Sequence, residues 1–142
     1  MDENLRRIHQ SLEHMTEAIE DVILHGSNFF HYIEQAVYEH TSLDPETLTT
    51  DECLEREQDS NFLIDELQDL RKATENVMEV YEMLVRRVMN QNHPTLLHRL
   101  EMDMKWKIED LLNKVLDKES QVDCYKFKLE FRRSMSNFPR GL

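Results

Sequence analysis

Apolar residues recur along this chain at alternating steps of three and four, the a/d heptad register of a helix seam, and not at the alternate positions of a strand. The first run is Leu5, Ile8, Leu12, Met15, Ile19 and Val22, and Gly26, Phe29, Ile33, Ala36, His40 and Leu43 continue it in phase. Gly26, Ser27 and Asn28 offer a break, a glycine past a helix end followed by a capping residue. The unbroken phase nevertheless predicts one long helix over about 3–40, with Gly26 as its candidate break. Beside the seam, Asn4, His9, Ser11 and Thr16 give way to Ile23, Phe30, Tyr32 and Val37, so the buried face is expected to widen along the helix.

The pattern is interrupted at Thr41-Ser42-Leu43-Asp44-Pro45-Glu46, where Asp44 suits a cap and Pro45 a first helical position. Thr49 with Glu52 makes a second candidate, a capping box. A second helix is predicted over about 50–91, with its seam through Leu63, Leu67, Leu70, Thr74, Val77, Tyr81, Leu84 and Val88, widened by Phe62, Ala73, Met78, Val80 and Val85. Asn90-Gln91-Asn92-His93-Pro94 ends it, since the residue before a proline is pushed out of the helical region and Pro94 suits a new start capped by His93 or Asn92. A third helix over about 94–133 carries Leu97, Leu100, Met104, Ile108, Leu111, Val115, Val122, Tyr125 and Leu129. Residues 1–133 are thus expected to form one helical-bundle domain and 134–142 a flexible tail.

Composition sharpens this picture. Two glycines and three prolines in 142 residues leave almost no turn residues for hairpins or sheets. Helices of this length reach about 50–60 Å at 1.5 Å per residue, and short connections make neighbours antiparallel. The expected fold is all-α, an elongated antiparallel bundle or coiled coil of three long helices. If the second and third fold back at residues 91–94, positions numbered to total about 185 lie side by side. That sets Lys126, Lys128, Arg132 and Arg133 beside Asp59, Glu57, Cys53 and Glu52, and keeps Cys124 too far from Cys53 for a disulfide.

With 17 Lys and Arg against 29 Asp and Glu, the formal charge of −12 opposes attraction to nucleic acid. No apolar run is long enough to cross a membrane, and MDENLRRIHQ lacks the apolar core of a signal peptide. A soluble chain starting at its own Met, cytoplasmic or nuclear and with two reduced cysteines, is expected.

The residues offer little catalytic chemistry. Glu-x-x-His and His-Glu-x-x-His motifs are missing, His31 with Glu34 gives only the reversed spacing, and Glu17, Asp21 and His25 form a solvated ladder outside the seam. Neither phosphate loop can be built from two glycines, and neither cysteine has the neighbours of an activated thiolate. No enzyme activity and no cofactor or metal is expected. His40 alone among the histidines is in phase with the first seam, as a satisfied or helix-end residue or as a pH-sensitive contact. Trp106, beside Met102, fits a bundle edge or a partner anchor. Ser136, three residues after Arg133, is a candidate phosphosite, where a phosphate would neutralise the basic tail.

Asn92-His93-Pro94-Thr95-Leu96 followed by a charged, Trp-containing helix resembles a stretch of the small helical central-element proteins of the synaptonemal complex. The likeness covers only the opening of the third helix and transfers no residue roles. It places nuclear or chromosome-associated assemblies beside cytoskeletal and vesicle-tethering ones as expected settings.

The apolar stripes exceed what three helices bury among themselves. A structural or adaptor subunit that binds other helical proteins is therefore expected, with Leu5, Ile8, Leu12, Met15, Ile19, Val22, Trp106, Phe127 and Phe131 as candidate partner-binding residues. Net charge favours a hetero-oligomer over a homodimer. The alternative is a monomeric acidic regulator or inhibitor that binds a basic surface.

Overall fold

The structure, a computed structural model, describes residues 2–136. Helices α1 (Glu3–Thr41) and α2 (Thr50–Asn90) are followed by a third helical stretch built from α3 (Pro94–Arg99), a π-helical turn (Leu100–Met104) and α4 (Lys105–Ser136). These pack against one another as an all-α bundle, with no strand among the described residues. The helix runs through Gly26 without a break, as the continuous phase predicts.

Contacts divide the chain into two compact units, Met1–Phe29 with Arg71–Lys114 and Phe30–Leu70 with Val115–Leu142. In the first unit, Leu12, Ile19 and Ile23 of α1 meet Tyr81, Leu84 and Val88 of α2 and Leu96, Leu100, Met104 and Ile108 of the third stretch. Antiparallel pairing of α1 with α2 is fixed where His9 Nε2 lies 3.2 Å from the Gln91 carbonyl oxygen.

The π turn has a visible cause in the sequence. Leu100, Met104 and Ile108 follow one another at steps of four twice running, which drifts off a regular heptad. A π turn, closed by i→i+5 bonds, takes in the additional residue and keeps all three buried. Its first carbonyl, Leu100 O, accepts the Lys105 N–H, and the Tyr81 hydroxyl donates to the same oxygen at 3.1 Å.

In the second unit, Asp44 Oδ1 accepts the Glu46 N–H at 3.0 Å and caps a 3₁₀ turn over Pro45–Thr47. Thr49 and Glu52 bond reciprocally, each backbone N–H to the other's side-chain oxygen at 3.2 Å, completing the predicted capping box. Leu48, between the two caps, is buried with Cys53, Tyr125 and Leu129. The basic end of α4 meets the acidic start of α2 as expected, although the pairing is displaced by more than a turn. Arg133 grips the buried Glu57 carboxylate with two bonds of 2.7 and 2.9 Å, where the expected register set it beside Glu52.

Several expectations about burial are corrected. The line Ile8, Val22 and Phe29 is exposed, while Thr16, Ile23, Phe30 and Val37 are buried in its place. A helix touching two neighbours buries a face centred between its two lines of contact, and here that face lies to the side of the 9/16/23/30/37 line. Tyr32, Phe62 and Val80, expected to widen the core, also face solvent. At the far end α4 continues to Ser136, past the predicted end at 133, and the rest of the predicted tail, residues 137–142, lies outside the described residues.

Candidate functional site

Each helix carries polar features that prove to be structural supports, and these must be separated from surface that is free to bind. At the turn between α2 and α3, Asn92 takes a left-handed conformation at φ 51°, which asparagine tolerates better than most residues. Its successor, His93, caps α3 by accepting the Leu96 N–H on Nδ1 at 3.3 Å. The proton must then sit on Nε2, which donates to Glu13 Oε1 on α1 at 3.2 Å. The His9 ring lies 4.7 Å from that of His93, centroid to centroid. This arrangement ties the turn to α1. Among the described residues no group of three or more His, Cys, Asp or Glu is placed to hold a metal ion.

His40 is a satisfied histidine in the second unit. Buried at the end of α1, it bonds Ser60 Oγ at 2.7 Å and stands edge-on to Tyr125, with ring centroids 5.1 Å apart. Burial, reinforced by the Arg56 guanidinium and opposed by Asp59, holds its pKa below the ordinary 6.5. The Tyr125 hydroxyl donates to the Leu43 carbonyl at 2.8 Å, and burial pushes its pKa up. Burial likewise pushes the Cys53 thiol up, so the group stays protonated, while Cys124 is exposed and both cysteines are free. The structure places these polar groups in caps, cores and helix-to-helix ties.

What remains is apolar surface. Of the candidate residues on α1, Leu12 and Ile19 are consumed by the core of the first unit, and Leu5 and Met15 are half-buried. Ile8 and Val22 are exposed, the latter by 51%. Phe29, one heptad beyond Val22, extends the same line. Trp106 is 65% exposed beside an equally exposed Met102. Phe127 and Phe131 stand one turn apart on α4 and are exposed, lining a shallow groove with Asp44, Pro45 and Glu46. Ser136 ends α4, and its side chain lies outside what is described.

The sequence reading missed two basic residues. Arg7 of α1 and Arg87 of α2 flank an open groove with Ile8, Met15, Asn90 and Gln91. Only the antiparallel register of α1 and α2 brings them together, and no local motif announces it. Among the described residues, no helix is long and apolar enough to cross a membrane. Comparison of the chain with protein-family models, with curated proteins and with solved structures found no match in any of the three.

Proposed function

We propose that this chain is a non-enzymatic structural or adaptor subunit that binds helices of another protein within a hetero-oligomer, in the cytoplasm or nucleus. The supporting observation is Ile8, Val22 and Phe29, which keep heptad phase on α1 yet face solvent, with the half-buried Met15 between the first two. Polar residues at three of these positions would serve a solvated helix better, so the retained apolar character fits a face that another helix covers. Trp106, Phe127 and Phe131 add aromatic surface of the type enriched in binding hot spots. The charge of −12 weighs against a second identical chain as the usual partner.

The test is a complex recovered with the tagged full chain from the cells it comes from, washed at ~0.5 M salt, where the Debye length falls well below 10 Å. A helix-packed partner stays bound at that salt and is lost from Val22→Asp or Phe127→Asp chains whose circular dichroism is unchanged. A partner released by the salt, and indifferent to both substitutions, would establish the acidic regulator in its place.

A further inference from the structure

The groove between α1 and α2 in the first unit joins an apolar wall to a basic end. Its α1 wall is formed by Ile8, Ser11, Leu12 and Met15, and beyond it the exposed Val22 and Phe29 continue the Ile8/Met15 line at heptad spacing, about 31 Å in all at 1.5 Å per residue. On α2, Val80 stands one heptad before Arg87 and is exposed on the same face. Carboxylates are diverted from this strip. Glu13 turns to His93 in the turn before α3 and Glu20 to Arg99 of α3, and Asp21 is the one acid of α1 bordering the apolar line in the heptad pattern. At one end the groove is flanked by two arginines. Arg7 has only the exposed Glu3, 3.6 Å away within its own helix, and no ion pair joins Arg87 to a carboxylate among the described residues.

Resting on the helix-binding reading above, we propose that this groove seats one amphipathic helix of a different protein, its apolar stripe along Ile8, Met15, Val22 and Phe29 and a carboxylate-bearing end against Arg7 and Arg87. Charge selects this occupant over a second copy. On a chain of net charge −12 the two arginines favour an acidic helix end, the net charge weighs against a second copy, and parallel self-pairing would set Arg7 against Arg7. A foreign helix ending in glutamate or aspartate satisfies both the apolar strip and the arginines.

The experiment uses the full chain and two fluorescent three-heptad peptides, with leucine at a and d and uncharged residues elsewhere, one ending in two glutamates and the other in two lysines. Anisotropy titrations should show the glutamate peptide binding about tenfold more tightly, a difference that two exposed charge pairs on each side can supply. In Arg7→Glu/Arg87→Glu chains the preference should reverse. Val22→Asp should abolish binding of both peptides with helix content intact. Equal affinities for the two peptides, or a preference that the double charge reversal leaves unchanged, overturns the proposed polarity while the helix-binding reading stands. Binding of neither peptide, together with a doubled mass that Val22→Asp returns to one chain, assigns the groove to a second copy and overturns the proposal.

Discussion

At the scale of single residues, His40 shows what burial with a fixed hydrogen-bond partner implies for pH. Its ring is closed off by Ser60 and Tyr125, with Arg56 donating to the His40 carbonyl oxygen at 3.1 Å, so a proton added to the imidazole would be poorly solvated. Burial and Arg56 lower its pKa in the folded state, against the pull of Asp59. A histidine depressed on folding binds fewer protons in the native than in the unfolded chain. Its contribution is therefore complete above the unfolded value near 6.5 and is lost as pH falls from there toward the lowered native value. Urea unfolding at stepped pH should show stability falling below about 6.5, with a slope from this group of at most about 1.4 kcal/mol per pH unit. His40→Gln, which keeps a bond for Ser60, should remove that component; an identical pH dependence in the variant would refute the assignment.

Among the elements, the third helical stretch is where phase, packing and backbone geometry meet. The Tyr81 hydroxyl gives Leu100 O a second donor in the π turn, and the tyrosine is itself part of the core around Leu84, Leu100 and Met104. Tyr81→Phe keeps the packing and removes the bond, and because Lys105 N–H still satisfies the carbonyl, the expected cost is about 1 kcal/mol in urea unfolding. A loss above about 3 kcal/mol would mean that the hydroxyl holds the turn open rather than adding to it. The third helix was expected as one regular stripe through Leu100, Met104 and Ile108, and the π turn was not read from it, although the doubled four-residue step is its trace in the sequence. Helix bounds, both caps around Asp44 and Thr49, and the passage through Gly26 were legible for a simpler reason. Each depends on local chemistry: a proline, a side-chain oxygen, an uninterrupted phase. Which flank of α1 is buried was not legible, because Ile8, Met15, Val22 and Phe29 are as apolar as the line that replaced them. The choice is made by where two other helices lie.

For the whole molecule, apolar and charged surface make opposing demands in solution. The candidate partner-binding residues were partly legible as apolar positions in excess of one core, and Val22, Trp106, Phe127 and Phe131 do stand in solvent. Arg7 and Arg87 were not, since their nearness depends on antiparallel pairing across residues far apart in sequence. Exposed stripes promote association, whereas 29 acidic against 17 basic residues repel an identical chain. Repulsion between net charges is long-ranged and screened by salt, while apolar contact is short-ranged and survives it, so ionic strength separates the two. If the α1 line is built for a different protein, the purified chain should scatter light as a 17.1 kDa monomer at low salt and remain one up to about 0.5 M. A dimer that forms only as salt rises would show that charge alone restrains self-pairing. One already stable at low salt and dispersed by Val22→Asp would make the α1 line a symmetric interface, and the preference for a different partner would fall with it.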